Sequence, residues 1–127
     1  MNGAATATDV ARDAELFRVL GHETRLRLLV LLAAGEQAVS EIDAASGVGQ
    51  PALSQQLAIL RKAGIVTTRR AAKQVYYRVD PAVLEQATAL LRQLARTATR
   101  LAEAPADPVT PRRKRTAGSS ASFARML

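Results

Sequence analysis

The stretch from Gln50 to Val79 has the residue types that bind polyanions. These thirty residues include six basic side chains and no acidic one, whereas residues 1–49 hold four basic and seven acidic side chains. The basic residues are Arg61, Lys62, Arg69, Arg70, Lys73 and Arg78. A basic stretch is often only a solvated face, but thirty residues without an acid in a foldable region favour contact with a polyanion such as nucleic acid.

Catalysis and metal binding lack the residues that they need. The sequence has no cysteine and one histidine, His22, so disulfides, thiolate sites and a tetrahedral zinc site built on imidazoles are excluded. There is no glycine-rich phosphate loop, and the carboxylates are scattered over helix starts and turns instead of being paired in a pocket. We therefore predict that the chain is not an enzyme and binds no metal or other cofactor.

Length and composition indicate one small helical domain. Of the 127 residues, 48% are hydrophobic, mainly Ala and Leu, and only 3% are aromatic, which favours closely packed helices. The apolar run Leu26–Ala34 is interrupted by Arg27 and is too short to span a membrane, and the N-terminus lacks a signal-peptide pattern. We predict a cytoplasmic, nucleoid-associated protein without membrane contact, folded over residues 10–104 between disordered tails at residues 1–9 and 105–127.

The spacing of apolar residues predicts a mainly α fold with a β-hairpin. Helices are expected at residues 10–20, 22–34, 40–46, 50–63 and 81–104, and strands at 65–70 and 75–79. In the second helix, Leu26, Leu29 and Val30 share one face. The short third helix, a tight turn over residues 47–49 and the fourth helix form a helix-turn-helix, and the hairpin after it has the position of a wing.

The fourth helix has two contrasting faces. Leu53, Leu57 and Leu60 fall on one side and predict the core contact. The opposite arc is free of acids and predicts the DNA-binding residues Gln50, Pro51, Ser54, Gln55, Ala58, Arg61 and Lys62. Alone, this arc could be an ordinary solvated face, but short polar groups and a methyl group also suit a major groove.

The hairpin supports the DNA-binding interpretation. Arg69, Arg70 and Lys73 cluster at its tip, where they could contact phosphates or the minor groove. Tyr76 is predicted either to contact the DNA backbone or simply to cover the hairpin.

The last helix carries an apolar stripe with alternating spacings of three and four residues. Its members are Leu84, Ala87, Leu91, Leu94, Ala98 and Leu101. This spacing is that of a heptad seam, which predicts a protein–protein surface. The partner could be a second copy of the chain or a different protein.

Three motifs resemble the ArsR/SmtB winged-helix transcriptional regulators: His22–Arg27, Gln50–Arg61 and Val75–Arg78. The resemblance extends from Val10 to about Leu101. It implies a homodimer through the first and last helices, with Val10, Ala14 and Phe17 joining the stripe of the last helix at the interface. It also implies binding to an imperfect inverted repeat near a promoter, with Gln50, Ser54 and Gln55 as groove contacts. Gly49 departs from the serine that members usually have at this helix start.

The resemblance also locates sensor sites whose ligands are missing. The family's Cys-Val-Cys motif corresponds to Ala38-Val39-Ser40, and the last helix lacks the histidines of the second metal site. The segments around Ser54, Val66 and Gln74 resemble most the branch of persulfide-sensing repressors and the haemolysin activator, whose two cysteines correspond to Val30 and Arg96. We therefore predict a repressor without a metal or cysteine sensor. An anti-silencing or architectural protein that binds DNA mainly by charge is the alternative, and the basic run at 112–115 favours it.

Overall fold

A computed structural model describes residues 7–105, with side chains from Val10 onward. Most of the predicted tails at residues 1–9 and 105–127 lies outside the described residues, namely residues 1–6 and 106–127, which include the basic run at 112–115. The first helix, α1, spans Ala7–Leu20. The described part of α1 therefore includes three residues before the predicted helix start at Val10.

The described residues form five helices and one small sheet. After α1, the elements are α2 (Glu23–Ala33), β1 (Gln37–Ala38), α3 (Val39–Ser46), α4 (Ala52–Lys62), β2 (Val66–Ala71), β3 (Gln74–Val79) and α5 (Pro81–Glu103). The chain divides after Arg96 into two compact units. The first unit contains the core, and residues 97–103 of the second are helical. The predicted mainly α fold with a hairpin is confirmed.

The sheet has three antiparallel strands in the order β1-β3-β2. The hairpin pairs Val66 with Val79 at its base, while β1 pairs Gln37 with Tyr77 and Ala38 with Tyr76. Sequence analysis missed β1, because two residues are too few to show an alternating pattern. This strand joins the hairpin to the start of α3, so the wing is anchored to the helix-turn-helix.

The core is formed by leucines and isoleucines from several elements. The fully buried large side chains are Leu28, Ile42, Leu53, Leu57, Leu60, Ile65 and Val66. In α2 the buried residues are Leu28, Leu29 and Leu32, whereas Leu26 and Val30, predicted to share a face with Leu29, are exposed. Apolar residues occupy almost every side of α2, so their spacing alone did not identify the buried face.

Candidate nucleic-acid interface

Helix α4 presents one polar face to solvent because its other face is held in the core. Leu53, Leu57 and Leu60 are at most 1% exposed, and burying each leucine stabilises the fold by about 1.5–3 kcal/mol. The predicted DNA-binding residues of this region are all exposed: Gln50, Pro51, Ser54, Gln55, Ala58, Arg61 and Lys62. The orientation of this face is therefore determined by the apolar packing behind it.

The start of α4 is capped by a side chain that sequence analysis had assigned to DNA. The Gln50 Oε1 atom accepts a hydrogen bond from the Ser54 backbone N–H at 3.0 Å and another from the Ser54 hydroxyl at 2.8 Å. These bonds satisfy one of the unpaired amides at the helix start. Gln50 thus supplies a capping acceptor that Gly49, which has no side chain, cannot provide. Its amide N–H groups are left for an outside acceptor.

Gln55, which follows Ser54, has a side chain without a hydrogen bond to the described part of the protein. Within the described part of the chain its side-chain amide makes no hydrogen bond, and the side chain is exposed. A glutamine in this state offers a donor and an acceptor together, which is the pattern that matches the N6 and N7 edge of adenine.

The turn before α4 is held by Asp43 of α3. The Gly49 N–H donates to the Asp43 Oδ1 atom at 3.1 Å, and the Gly47 N–H donates to the Asp43 backbone oxygen at 2.9 Å. Gly47 and Gly49 have φ values of 70° and 83°, a region that glycine adopts without a steric cost. The turn therefore has a defined shape that sets the angle between α3 and α4.

A second contact connects α4 to helices α1 and α2 through the side chain of Arg25. The Arg25 guanidinium donates to the Val19 carbonyl at 2.7 Å and to the Gln56 Oε1 atom at 2.9 Å. Both side chains are partly buried, which strengthens a charge-assisted bond. Sequence analysis assigned no role to Arg25 or Gln56, because residues 31 positions apart give no periodic signal.

The wing is a hairpin of strands β2 and β3 joined by a two-residue loop, Ala72 and Lys73. Ala72 and Lys73 have φ values of 51° and 68°, the left-handed pair that such tight hairpins use. Arg70 and Lys73 are exposed, and neither has an acidic partner among the described residues. Their charges are available to an outside anion.

Arg69, by contrast, is paired within the protein. Its Nε and NH2 groups donate to both carboxylate oxygens of Glu36 at 2.8–3.0 Å, and its guanidinium lies 4.7 Å from the centre of the Tyr76 ring. The hydrogen bonds and charge of Arg69 hold the pKa of the Glu36 carboxyl below its ordinary value. The hydrogen bonds and charge of Glu36 in turn raise the pKa of Arg69. The pair is therefore ionised at neutral pH. Both predicted roles of Tyr76, covering the hairpin and contacting the DNA backbone, stay predictions.

The predicted dimer surface divides into exposed and buried residues. Ala87 is buried in the chain's own core, so its assignment to the interface was wrong; Leu84 and Phe17 also pack against the core. The residues that remain exposed are Val10, Ala14, Leu91 and Leu94 in the first unit and Ala98 and Leu101 in the second. The apolar spacing of α5 did not distinguish the turns that face the core from those that face solvent.

Metal ligands do not converge in the part of the chain that the structure describes. No group of three or more His, Cys, Asp or Glu side chains among these residues could hold a metal ion. No helix in the same region has the length and apolar character needed to cross a bilayer.

Comparison with known proteins gives matches in sequence and in structure. A family model for bacterial regulatory proteins of the arsR family matches residues 22–68. A biofilm growth-associated repressor from Xylella fastidiosa is 48% identical over 73 residues, which are 58% of this chain and 64% of that protein. The match thus spans slightly less than two thirds of that repressor's length.

Two longer matches cover most of the length of the protein to which this chain is similar. An arsenic resistance transcriptional regulator from Pseudomonas putida is 38% identical over 105 residues, covering 76% of this chain and 82% of that regulator. The solved structure of HlyU from Vibrio cholerae N16961 matches with a TM-score of 0.59 and 32% identity, covering 72% of this chain and 97% of HlyU.

Proposed function

The chain belongs to the ArsR family of bacterial regulatory proteins, and we propose that it is a homodimeric transcriptional repressor that binds an imperfect inverted repeat in a promoter. The predicted resemblance to this family is confirmed. The family and the named relatives are transcriptional regulators and not enzymes, as the residue composition predicted. A regulator of this kind would act in the cytoplasm, on the nucleoid.

The observation that carries the proposal is the polar, acid-free face of α4. Its leucines are buried, its polar side chains are exposed, and Gln55 makes no bond within the described part of the protein. A helix with such a face, placed after a short turn and followed by a basic wing, has the arrangement that reads a major groove while the wing contacts phosphates.

Selection of bound duplexes from a random DNA pool tests this function. We expect an imperfect inverted repeat whose affinity exceeds that of random DNA by about 10³ or more. Its half-sites should be centred about one helical turn, or a multiple of it, apart. Recovery of unrelated sequences with equal affinity would instead support the architectural alternative, in which charge alone drives binding.

The basic residues of the wing that have no acidic partner among the described residues are expected to bind phosphates. Replacing both Arg70 and Lys73 with Gln should weaken binding to operator and random DNA alike. It should also flatten the plot of log affinity against log salt concentration by about 0.9 for each lost phosphate contact. Fluorescence anisotropy over a salt series measures both effects. Replacing both Arg92 and Arg96 on α5 with Gln removes the same two charges away from the wing and should leave the slope unchanged. A slope unchanged in the Arg70→Gln, Lys73→Gln variant would contradict the wing contact.

Operator binding is expected to be insensitive to metals and thiol oxidants. The sequence has no cysteine and one histidine, and zinc or nickel sites made of oxygen ligands alone are weak and unselective. Adding zinc, nickel, arsenite, peroxide or polysulfide should change operator affinity by less than about twofold, or about 0.4 kcal/mol. Anisotropy titrations check this, with a melting curve to confirm that the protein stays folded with each agent. A reversible tenfold drop would reveal a sensor site.

A further inference from the structure

Arg69 differs from the other basic residues of the wing because its charge is already matched. Both carboxylate oxygens of Glu36 accept hydrogen bonds from it, while Arg70 and Lys73 have no acidic partner among the described residues. The pair is still accessible, since the Arg69 side chain is 56% exposed and the Glu36 side chain 26%. A DNA phosphate that approaches Arg69 would therefore also lie close to the carboxylate of Glu36.

We propose that Glu36 withholds Arg69 from the DNA backbone and so limits the affinity of the wing for phosphates. This inference rests on the proposed function, because it concerns how strongly the same wing binds DNA. It makes Glu36 a determinant of specificity: the less the wing contributes to all sequences alike, the more the selectivity of binding depends on the base contacts of α4.

The sheet holds the pair in place from both sides. Arg69 lies on the outer strand β2, and Glu36 directly precedes the other outer strand, β1. Between them the guanidinium crosses the ring of Tyr76 on the middle strand, which pairs with Arg69 on one side and with Ala38 on the other. The carboxylate and the guanidinium are thus both carried by the same three-stranded sheet, whose pairing sets them side by side.

A phosphate would have to compete with Glu36 for the same donors. A carboxylate and a phosphate are both bound by the paired N–H groups of one guanidinium edge, and the Nε and NH2 edge of Arg69 is occupied by Glu36. A phosphate at the remaining NH1 group would lie close to a second negative charge. Arg69 and Glu36 together have no net charge, so the pair should release no counterion from DNA.

The salt dependence of the affinity for random duplex DNA tests this proposal directly. The slope of log affinity against log salt concentration counts the phosphates that the protein neutralises. Glu36→Gln frees Arg69 while keeping the size of the side chain. It should steepen the slope by about 0.9 and raise affinity roughly threefold to tenfold at about 0.1 M salt. Arg69→Gln should leave the wild-type slope unchanged but lower affinity, because Glu36 is then an unpaired negative charge beside the DNA. The double variant Glu36→Gln, Arg69→Gln should keep both the wild-type slope and the wild-type affinity, because it removes a neutral pair.

Glu23→Gln is the matched control. Glu23 also pairs with an arginine, Arg27, in an exposed ion pair, but on α2. Its replacement changes the net charge by the same amount and should not alter the slope. Equal effects of Glu23→Gln and Glu36→Gln would show a general effect of net charge and would overturn the proposal.

Three further results would also overturn it. These are an unchanged slope in Glu36→Gln, a lower affinity in Glu36→Gln, and a slope flattened by about 0.9 in Arg69→Gln. The last would mean that Arg69 contacts a phosphate despite Glu36. The Arg70→Gln, Lys73→Gln variant separates this failure from that of the proposed function: if it flattens the slope while Glu36→Gln has no effect, the wing binds DNA but Glu36 does not restrain it.

Discussion

Leu91→Glu is expected to convert the protein to monomers that bind a full inverted repeat about 30- to 1000-fold more weakly than wild type. That range corresponds to a loss of about 2–4 kcal/mol, the usual effect of removing a central interface residue. Affinity for an isolated half-site should not change, because α4 and the wing are intact. Light scattering measures the mass of the protein, and anisotropy on full and half-site duplexes measures the affinities.

The reason for this expectation is that only the first residues of the apolar stripe of α5 pack against the core, whereas the next ones are exposed. Ala87 is buried and Leu84 packs against the core. Leu91 and Leu94, at the next positions of the same spacing, are 54% and 57% exposed. Burial of a leucine stabilises a protein contact by about 1.5–3 kcal/mol. In a twofold-symmetric dimer both copies bury the same leucine, so the contribution counts once for each subunit. A glutamate at this position would bring two charges into an apolar contact.

The same helix supplies a matched control. Ala89 is exposed and lies about 160° around the helix from Leu91 at 100° per residue, so Ala89→Glu adds the same charge to the opposite face. It should stay dimeric and bind the full repeat as wild type does. If Leu91→Glu also stays dimeric, the interface lies elsewhere, and Val30→Glu would test the exposed apolar position on α2. A monomeric wild type would instead indicate that the stripe binds a different protein.

Sequence analysis predicted best the elements with strong and regular patterns. In α4, three leucines at helical spacing identified the buried face, and the exposed arc followed from it. The hairpin was predicted to within one residue at each strand end, because Val, Thr and Tyr favour strands. The acid-free basic stretch predicted a DNA-binding surface on these same elements.

Contacts between distant residues account for what sequence analysis missed. Glu36 and Arg69 are 33 positions apart, and only the pairing of β1 with β3 brings them together. Arg69 was therefore predicted as a phosphate contact on its charge alone. Gln50 shows a different limit: its type suits a base contact, but its position at the helix start makes it a cap for Ser54. A residue's type indicates what it can bind, whereas its neighbours in space decide what remains free.

Gln55→Ala should reduce affinity for the operator by about 1–3 kcal/mol, or about five- to 150-fold, and leave affinity for random DNA almost unchanged. Gln55 is exposed, and its amide makes no hydrogen bond in the described part of the protein. Its donor and acceptor are thus both available to one base. Because a glutamine pairs with the N6 and N7 atoms of adenine, we expect an adenine at one position in each half-site.

Its neighbours on α4 sharpen the design of this test. The hydroxyl proton of Ser54 is donated to Gln50, so Ser54 can accept but not donate a further bond, and Ser54→Ala should have a smaller effect than Gln55→Ala. Gln56 is unsuitable as a control because it binds Arg25 and helps to position α4. Gln93→Ala on α5 removes the same side chain away from this face and should leave operator affinity unchanged.

The decisive measurement is a repeat of the random-pool selection with the Gln55→Ala variant. If Gln55 reads adenine, the variant should lose its preference at that one position and keep the rest of the operator, because the other contacts are not altered. Gln55→Arg should change the preference there to guanine, whose O6 and N7 atoms accept from an arginine. Equal loss of affinity for operator and random DNA in Gln55→Ala would contradict base reading, and would mean that Gln55 contacts only the DNA backbone.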